Sequence, residues 1–459
     1  MTPSRLQEAV PAAPAPRPHA RAAAVWGVAA RVGADPVRWA LLTILVVVPL
    51  YPKVGLVGVS GTYIPVRIDD VLIAALVALW VGTLVRDRRR PAIPPVARRA
   101  LAWIACGLVS LLVGALALRS ISGSRGLLYF GKSLEYLMLA WIAYDAAQRS
   151  DIRRPALIAV ALASALVILY GVLQGFGAAP AAPTYTPYAV WGRVTSTMAD
   201  PHELATYLGI VGLLAVGCWS ALGPRGRALT ALGLFAGAFV LAGTGTRSEV
   251  LTAAALLLVA LSRRSTRVAA IVALAALALA LVLPTLTGPP GPAAPAGTGA
   301  AAGTTIGRLQ TSPSADPSLR IRFDQRWPKL LHAAARDPVL GLGPSAAGEA
   351  ADGYYVRAYV ETGVVGLAAF LVFVAAVLAA LWRVSGDRVD RLTAGLGLGL
   401  AAATVFVAVV GLLIDTWVAS RPMETFWPLV GIALAAAVPV SQAGRGQRAS
   451  RAAPAESAV

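Results

Sequence analysis

The sequence predicts an all-α polytopic membrane protein of about 12 transmembrane helices, with a large extracytoplasmic loop before helix 10. Three observations predict it. The chain has 459 residues, of which 57% are hydrophobic and only 14% charged, with a mean hydropathy of +0.70, which soluble globular domains of this size do not show. Apolar runs of the roughly 20 residues that span a bilayer recur along its length. The arginines lie between those runs, which is where membrane topology places them.

Residues 1–35, rich in Pro, Ala and Arg ("PAAPAPRPHARAAAV"), lack an uninterrupted apolar core and read as a disordered basic cytoplasmic tail, not a cleaved signal peptide. Residues 36–284 hold nine apolar segments centred near 45, 77, 109, 138, 166, 213, 236, 255 and 276; Pro49 breaks the first, and the eighth is short. Residues 285–361 form the long loop. It opens with "TGPPGPAAPAGTGAAAGTT", a flexible linker that cannot bury a core. There follows "SLRIRFDQRWPKLLHAAARDPVLGLG", where basic groups alternate with Phe323, Trp327, Leu330 and Leu331 as in an amphipathic helix on a membrane interface, ending at Pro338, Gly341 and Gly343. Residues 362–440 hold three more segments, centred near 372, 403 and 431, and 441–459 form a cytoplasmic tail.

Basic residues resist translocation in short loops. With the N-terminus inside, the cytoplasmic pieces hold 25 of the 40 Lys and Arg, against 8 in the short outer loops. Both termini are therefore expected in the cytoplasm. The net charge of +18 follows from this topology, so it does not point to nucleic acid, which needs a basic face with interleaved aromatics. Cys106 and Cys218 sit inside apolar runs and form neither a disulfide framework nor a zinc pattern. No P-loop, Ser-His-Asp or H-E-x-x-H constellation is present, and no metal or cofactor is expected.

Three polar clusters flank outer helix ends. "WGRVTSTMADPHELATYLGI" carries Arg193, Asp200, His202 and Glu203; Asp200-Pro201 with Glu203 also reads as an ordinary helix start, whereas no cap requires Arg193. "AGTGTRSEVLTAAALL" carries Arg247 at the tip of a tight turn, where Gly243 and Gly245 allow close backbone packing. Such an arginine suits phosphate, because guanidinium offers a planar fork of donors and keeps its charge; snorkelling to headgroups is the plainer alternative. The third cluster contains Arg320, Arg322 and Arg326, then "DGYYVRAYVETGVVG" with Asp352, Tyr355, Arg357 and Glu361. These arginines either form a solvated stripe facing headgroups or complete a phosphate clamp with Arg247. His332 reads as an interfacial filler.

Four stretches in register resemble the bacterial O-antigen ligase and polymerase superfamily, integral-membrane glycosyltransferases of the GT-C type. "RVTSTMADPHELATYLGI" is similar to R-x-x-[GS]-T-x-x-x-P-[NH]-x-[LF]-A, and "GTGTRSEVLTAAALL" to an S-R-[GS] turn. "RFDQRWPKLLHAAARDPVLGLGPS" resembles R-F-x-x-W leading into P-[LVI]-x-G-x-G, and "DGYYVRAYVETGVVGLAAFL" resembles H-N-x-Y-L-x-x-x-x-E-x-G-x-x-G. The resemblance implies transfer of an undecaprenyl-diphosphate-linked glycan to a glycan or lipid acceptor hydroxyl on the outer side of the cytoplasmic membrane, without a metal.

On this reading Arg247 and Arg322 hold the diphosphate, with Arg320 and Arg193 beside them. Arg322 stands five residues before Trp327 instead of the family's four, which leaves Arg320 and Arg326 as rivals for its role. Asp352 stands where ligases carry histidine and is expected to bind or activate the acceptor, which favours a polymerase over a ligase. Glu361 is expected to position Arg357 by i, i+4 pairing, with Tyr355 and His202 in support. The partners implied are the lipid-linked donor, the acceptor, membrane lipid and a possible chain-length regulator, with no nucleic acid. The rival reading is a lipid-linked oligosaccharide flippase or other transporter, which should carry charges at mid-helix depth; the candidate helices read as apolar through their centres.

Overall fold

The computed structural model describes residues 35–51, 55–57, 66–180, 193–198, 200–287, 317–348, 351–386 and 390–436. The expected basic tail before residue 35, the C-terminal tail, and the Gly/Pro linker beyond residue 287 lie outside them. The described chain is helical almost throughout, with one small antiparallel pairing of β1 (Gly55–Val57) and β2 (Val66–Arg67).

A helix covers each of the twelve predicted centres. In order they are α1 (Pro36–Leu50), α2 (Ile68–Arg86), α3 (Ala97–Leu112, continued by the π turn Val113–Ala117), α4 (Gly123–Ala147), α5 (Arg153–Gly175), α6 (Pro201–Cys218), α7 (Pro224–Gly243), α8 (Arg247–Ala260) and α9 (Arg267–Thr287). After α10 (Trp327–Ala334), which is the amphipathic stretch, come α11 (Tyr354–Val384), α12 (Arg391–Val410) and α13 (Ser420–Ala436). Among the described residues, seven helices are long and apolar enough to cross a membrane: α2, α3, α5, α6, α7, α11 and α12. The chain is an integral membrane protein. Local chemistry sets the starts of several helices. Asp35 and Asp200 each precede a proline at the first helical position and accept an amide of the first turn, Arg38 N at 3.2 Å and His202 N at 2.6 Å.

The helices pack as α6 on α12, α13 on α4, α9 on α7, α11 on α3 and α1 on α5. Where α6 meets α12, Gly217 faces Gly395 and Gly399 so closely that a Cβ on Gly217 would lie 2.6 Å from the Gly399 amide nitrogen. Small residues allow this backbone approach in a bundle that gains little from hydrophobic burial against lipid. One end of the bundle is tied by Asp145 of α4, which accepts both Arg89 terminal nitrogens (2.9 and 2.8 Å), Trp80 Nε1 (2.8 Å) and Ala92 N (2.9 Å). Arg153 reaches Asp390 at the same end.

The opposite end holds the candidate site, and its key device is a broken helix. α11 is interrupted at Gly363, whose φ of 64° and ψ of −171° no helix interior adopts. A break within a membrane segment is stable only if the freed backbone groups find partners. Residues 338–343 supply them: Leu342 N and Gly343 N donate to the carbonyls of Val360 and Glu361, both at 2.9 Å, and Val364 N donates to Pro338 O at 2.9 Å. Ser110 of α3 also donates to Glu361 O. The approach needs Gly341, whose Cβ would lie 2.5 Å from the Glu361 carbonyl carbon.

Gly341→Ala is therefore expected to destabilise the protein by about 1–3 kcal/mol. Gly131→Ala in α4, where a Cβ meets nothing within 4 Å, should leave stability unchanged. Thermal unfolding in detergent compares the two; equal midpoints would remove the broken-helix packing from the account.

Candidate functional site

Arg357, in the first turn of α11 with 3% of its side chain exposed, is the central charge of the site. Its Nη1 meets Glu361 Oε1 and its Nη2 meets Asp415 Oδ2, both at 3.0 Å. The first pairing is the i, i+4 contact that the spacing predicts. The second comes from the segment between α12 and α13. Both carboxylates then extend to backbone: Glu361 Oε1 accepts Ser345 N at 3.1 Å, and Asp415 accepts Ala351 N at 3.1 Å and Gly353 N at 3.3 Å.

Asp415 thus holds the amides on both sides of Asp352. Asp352 has φ of 53°, in the left-handed region that aspartate tolerates better than most residues. Trp327 fastens the other flank, donating Nε1 to Ala351 O at 3.0 Å. The Asp352 carboxylate, 31% exposed, pairs with Arg326, and its Oδ2 lies 3.7 Å from Arg322 Nε.

Arg322 and Arg326 reach one carboxylate because Ile321–Arg326 is a π turn, wider than an α turn and able to take up one additional residue. This accounts for the five-residue interval to Trp327. Arg322 is 12% exposed and Arg326 36%. Arg320 departs from the expectation: it is exposed and faces Asp324 at 3.8 Å, so the structure does not bring it to the group. Arg320 stands two residues before Arg322, about half a turn round the helical segment, and so projects from another face.

Arg247 opens α8 and lies near enough to Arg322 for the two positive charges to oppose each other. Burial draws the Arg322 guanidinium below its ordinary range, against the pull of Glu249 and Asp415. Glu249 is fully buried and accepts from Ser248 Oγ at 2.7 Å, with His202 Nδ1 at 2.8 Å. His202 thus contacts the Glu249 whose charge acts on Arg322. Arg193 Nε donates to Thr244 O at 2.5 Å, and Val194 N donates to Gly243 O at 2.9 Å, which braces the turn before Arg247. Gly245 takes the positive φ of 66° that this turn requires. Tyr355 donates to Ala408 O at 2.7 Å and ties α11 to α12.

Residues 232–371 match the family model for O-antigen ligase. Over these residues the chain is similar to the O-antigen ligase family. The matched range encloses Arg247, Arg322, Asp352, Arg357 and Glu361, while Arg193, His202 and Asp415 lie outside it. No curated protein matches the chain.

Besides these residues there is a second polar cluster that sequence reasoning missed. Lys132 of α4 pairs with Asp70, with Glu135 at 3.0 Å and with Glu424 of α13 at 3.8 Å. Arg67 donates to Ser420 Oγ at 3.1 Å and faces Asp69 at 3.7 Å; Arg421 donates to Thr197 O at 2.6 Å. The expectation that the helices are apolar through their centres is corrected here, since Lys132 and Glu135 lie more than two turns inside α4 and Glu424 is fully buried. Mean hydropathy hides single charges whose partners come from distant segments.

Asp415→Ala removes a buried partner of Arg357 and both amide anchors of Asp352. It is expected to cost about 3–5 kcal/mol and to open residues 344–353 to proteolysis. A wild-type melting curve and digestion pattern would show that Asp415 does not hold this loop.

Proposed function

We propose that the protein transfers or polymerises an undecaprenyl-diphosphate-linked surface glycan, at the outer face of the cytoplasmic membrane and with both termini inside, and that Arg247 and Arg322 bind the donor diphosphate. The observation that carries this reading is a cluster of arginines from separate elements: Arg322 and Arg326 of the π turn meet at Asp352, and Arg247 of α8 feels the charge of Arg322. Guanidinium groups match phosphate oxygens in pairs, and an anion between them offsets their mutual repulsion. The O-antigen ligase match supports the same chemistry.

In the proposed reaction an acceptor hydroxyl oxygen attacks the anomeric carbon of the donor sugar. The bond from that carbon to the diphosphate oxygen breaks, and its electron pair leaves with the lipid diphosphate. The growing negative charge is stabilised by Arg247 and Arg322, a task that falls to a divalent cation in other phosphate chemistry. The hydroxyl proton passes to Asp352 or to solvent. Asp352 in place of a histidine favours glycan polymerisation over ligation to a lipid acceptor. Arg193 and His202 hold the arginine-bearing elements, and Glu361 with Arg357 holds the Asp352 loop.

A lipid-linked oligosaccharide flippase is the second reading, favoured by the charges of Lys132, Glu135 and Glu424 inside the bundle. These groups pair with one another across α2, α4 and α13, which is what a structural network does.

Purified protein supplied with undecaprenyl-diphosphate oligosaccharide and acceptor separates the readings. Release of undecaprenyl diphosphate is expected from the wild type, with a loss of about 10²–10³-fold in Arg247→Ala and Arg322→Ala. Arg247→Lys should recover only part of this, because lysine offers a point charge without the fork. Unchanged turnover in both alanine variants would overturn the site assignment, and glycan translocation without release would establish the flippase.

A further inference from the structure

We propose that Asp352 is an internal stand-in for the donor diphosphate: its carboxylate occupies the Arg322 and Arg326 pair until the donor displaces it and turns it toward the acceptor. This rests on the diphosphate-binding reading above.

Carboxylate and phosphate are the two anions that arginine recognises with the same charge-assisted geometry. A carboxylate lying between two arginines therefore marks where phosphate oxygens can bind. The contact is built unequally. Arg326 pairs directly with Asp352 Oδ2, whereas Arg322 Nε lies 3.7 Å away and makes no hydrogen bond among the described residues. With the Arg322 side of the contact this loose and the carboxylate 31% exposed, a better-fitting anion can displace it.

The backbone around Asp352 leaves the side chain as the moving part. Asp415 holds Ala351 N and Gly353 N, and Trp327 holds Ala351 O, so the left-handed conformation at Asp352 is fixed from three sides. Rotation about the Cα–Cβ bond then moves the carboxylate off the arginines without moving the loop. Charge balance gives the exchange its direction. Asp352 supplies one negative charge opposite Arg322 and Arg326, with Arg247 adding a third positive charge nearby; a diphosphate brings more negative charge than the aspartate it replaces. The freed carboxylate is then available to the acceptor only when donor is bound, which orders the two substrates.

The stand-in competes with the donor, so removing its charge is expected to tighten donor binding and slow the reaction together. With full-length protein in lipid nanodiscs and undecaprenyl diphosphate as probe, Asp352→Asn should bind about fivefold more tightly than wild type while glycan transfer falls. Weaker or unchanged binding in Asp352→Asn, with binding lost in Arg247→Ala, overturns the stand-in and leaves the diphosphate site in place. Unchanged binding in both variants means the diphosphate site itself is wrong. The wild type provides a test that no folding defect can obscure: carbodiimide labelling of Asp352 should rise when undecaprenyl diphosphate is added, and equal labelling with and without the lipid overturns the proposal.

Discussion

A single buried cation, Arg357, bears the site end of the bundle. It joins Glu361 four residues ahead on its own helix to Asp415 from the segment between α12 and α13; Glu361 also accepts one loop amide and Asp415 two. Leaving such a charge unpaired would cost several kcal/mol, so the three side chains persist together or not at all. The Asp352 loop inherits its position from them. Trp327 then sets the π turn with Arg322 and Arg326 against that loop, and α8 brings Arg247 up to it.

The break in α11 serves the same arrangement. A continuous helix at Gly363 would take from Leu342 N and Gly343 N the acceptors they have here; the interruption offers them the Val360 and Glu361 carbonyls. Glu361 thus acts twice, by its side chain on Arg357 and Ser345 and by its carbonyl on Gly343 and Ser110. The glycines in "PVLGLG" and "ETG" are the two halves of one contact. At the far end of the bundle Asp145 plays a comparable part for α2 and α4, so each end is fastened by one acid or base with several partners.

Much of this was legible in the residues. Apolar runs marked a helix at each of the twelve centres because burial and lipid contact impose the same requirement along whole segments. The Asp200-Pro201 start and the Arg357–Glu361 pair were legible because both are local, fixed by helical spacing. Asp415 was not, since its partners Ala351, Gly353 and Arg357 lie about 60 positions away and no periodicity connects them. The partners of Lys132 in Asp70 and Glu424 were missed for the same reason, and the local Lys132–Glu135 pair was masked by the apolar run around it. The extra residue before Trp327 appeared as a mismatch and resolves as a wider turn, which only coordinates reveal.

The central claim is that the space beside Arg247, Arg322 and Asp352 receives a lipid diphosphate. Its most direct test is a cryo-electron-microscopy structure of the protein with undecaprenyl diphosphate bound. The account predicts phosphate density in contact with the guanidinium groups of Arg247 and Arg322, and the Asp352 carboxylate rotated away from Arg322 and Arg326. Density for the head group elsewhere on the bundle, with the Asp352 pairing intact, would contradict it.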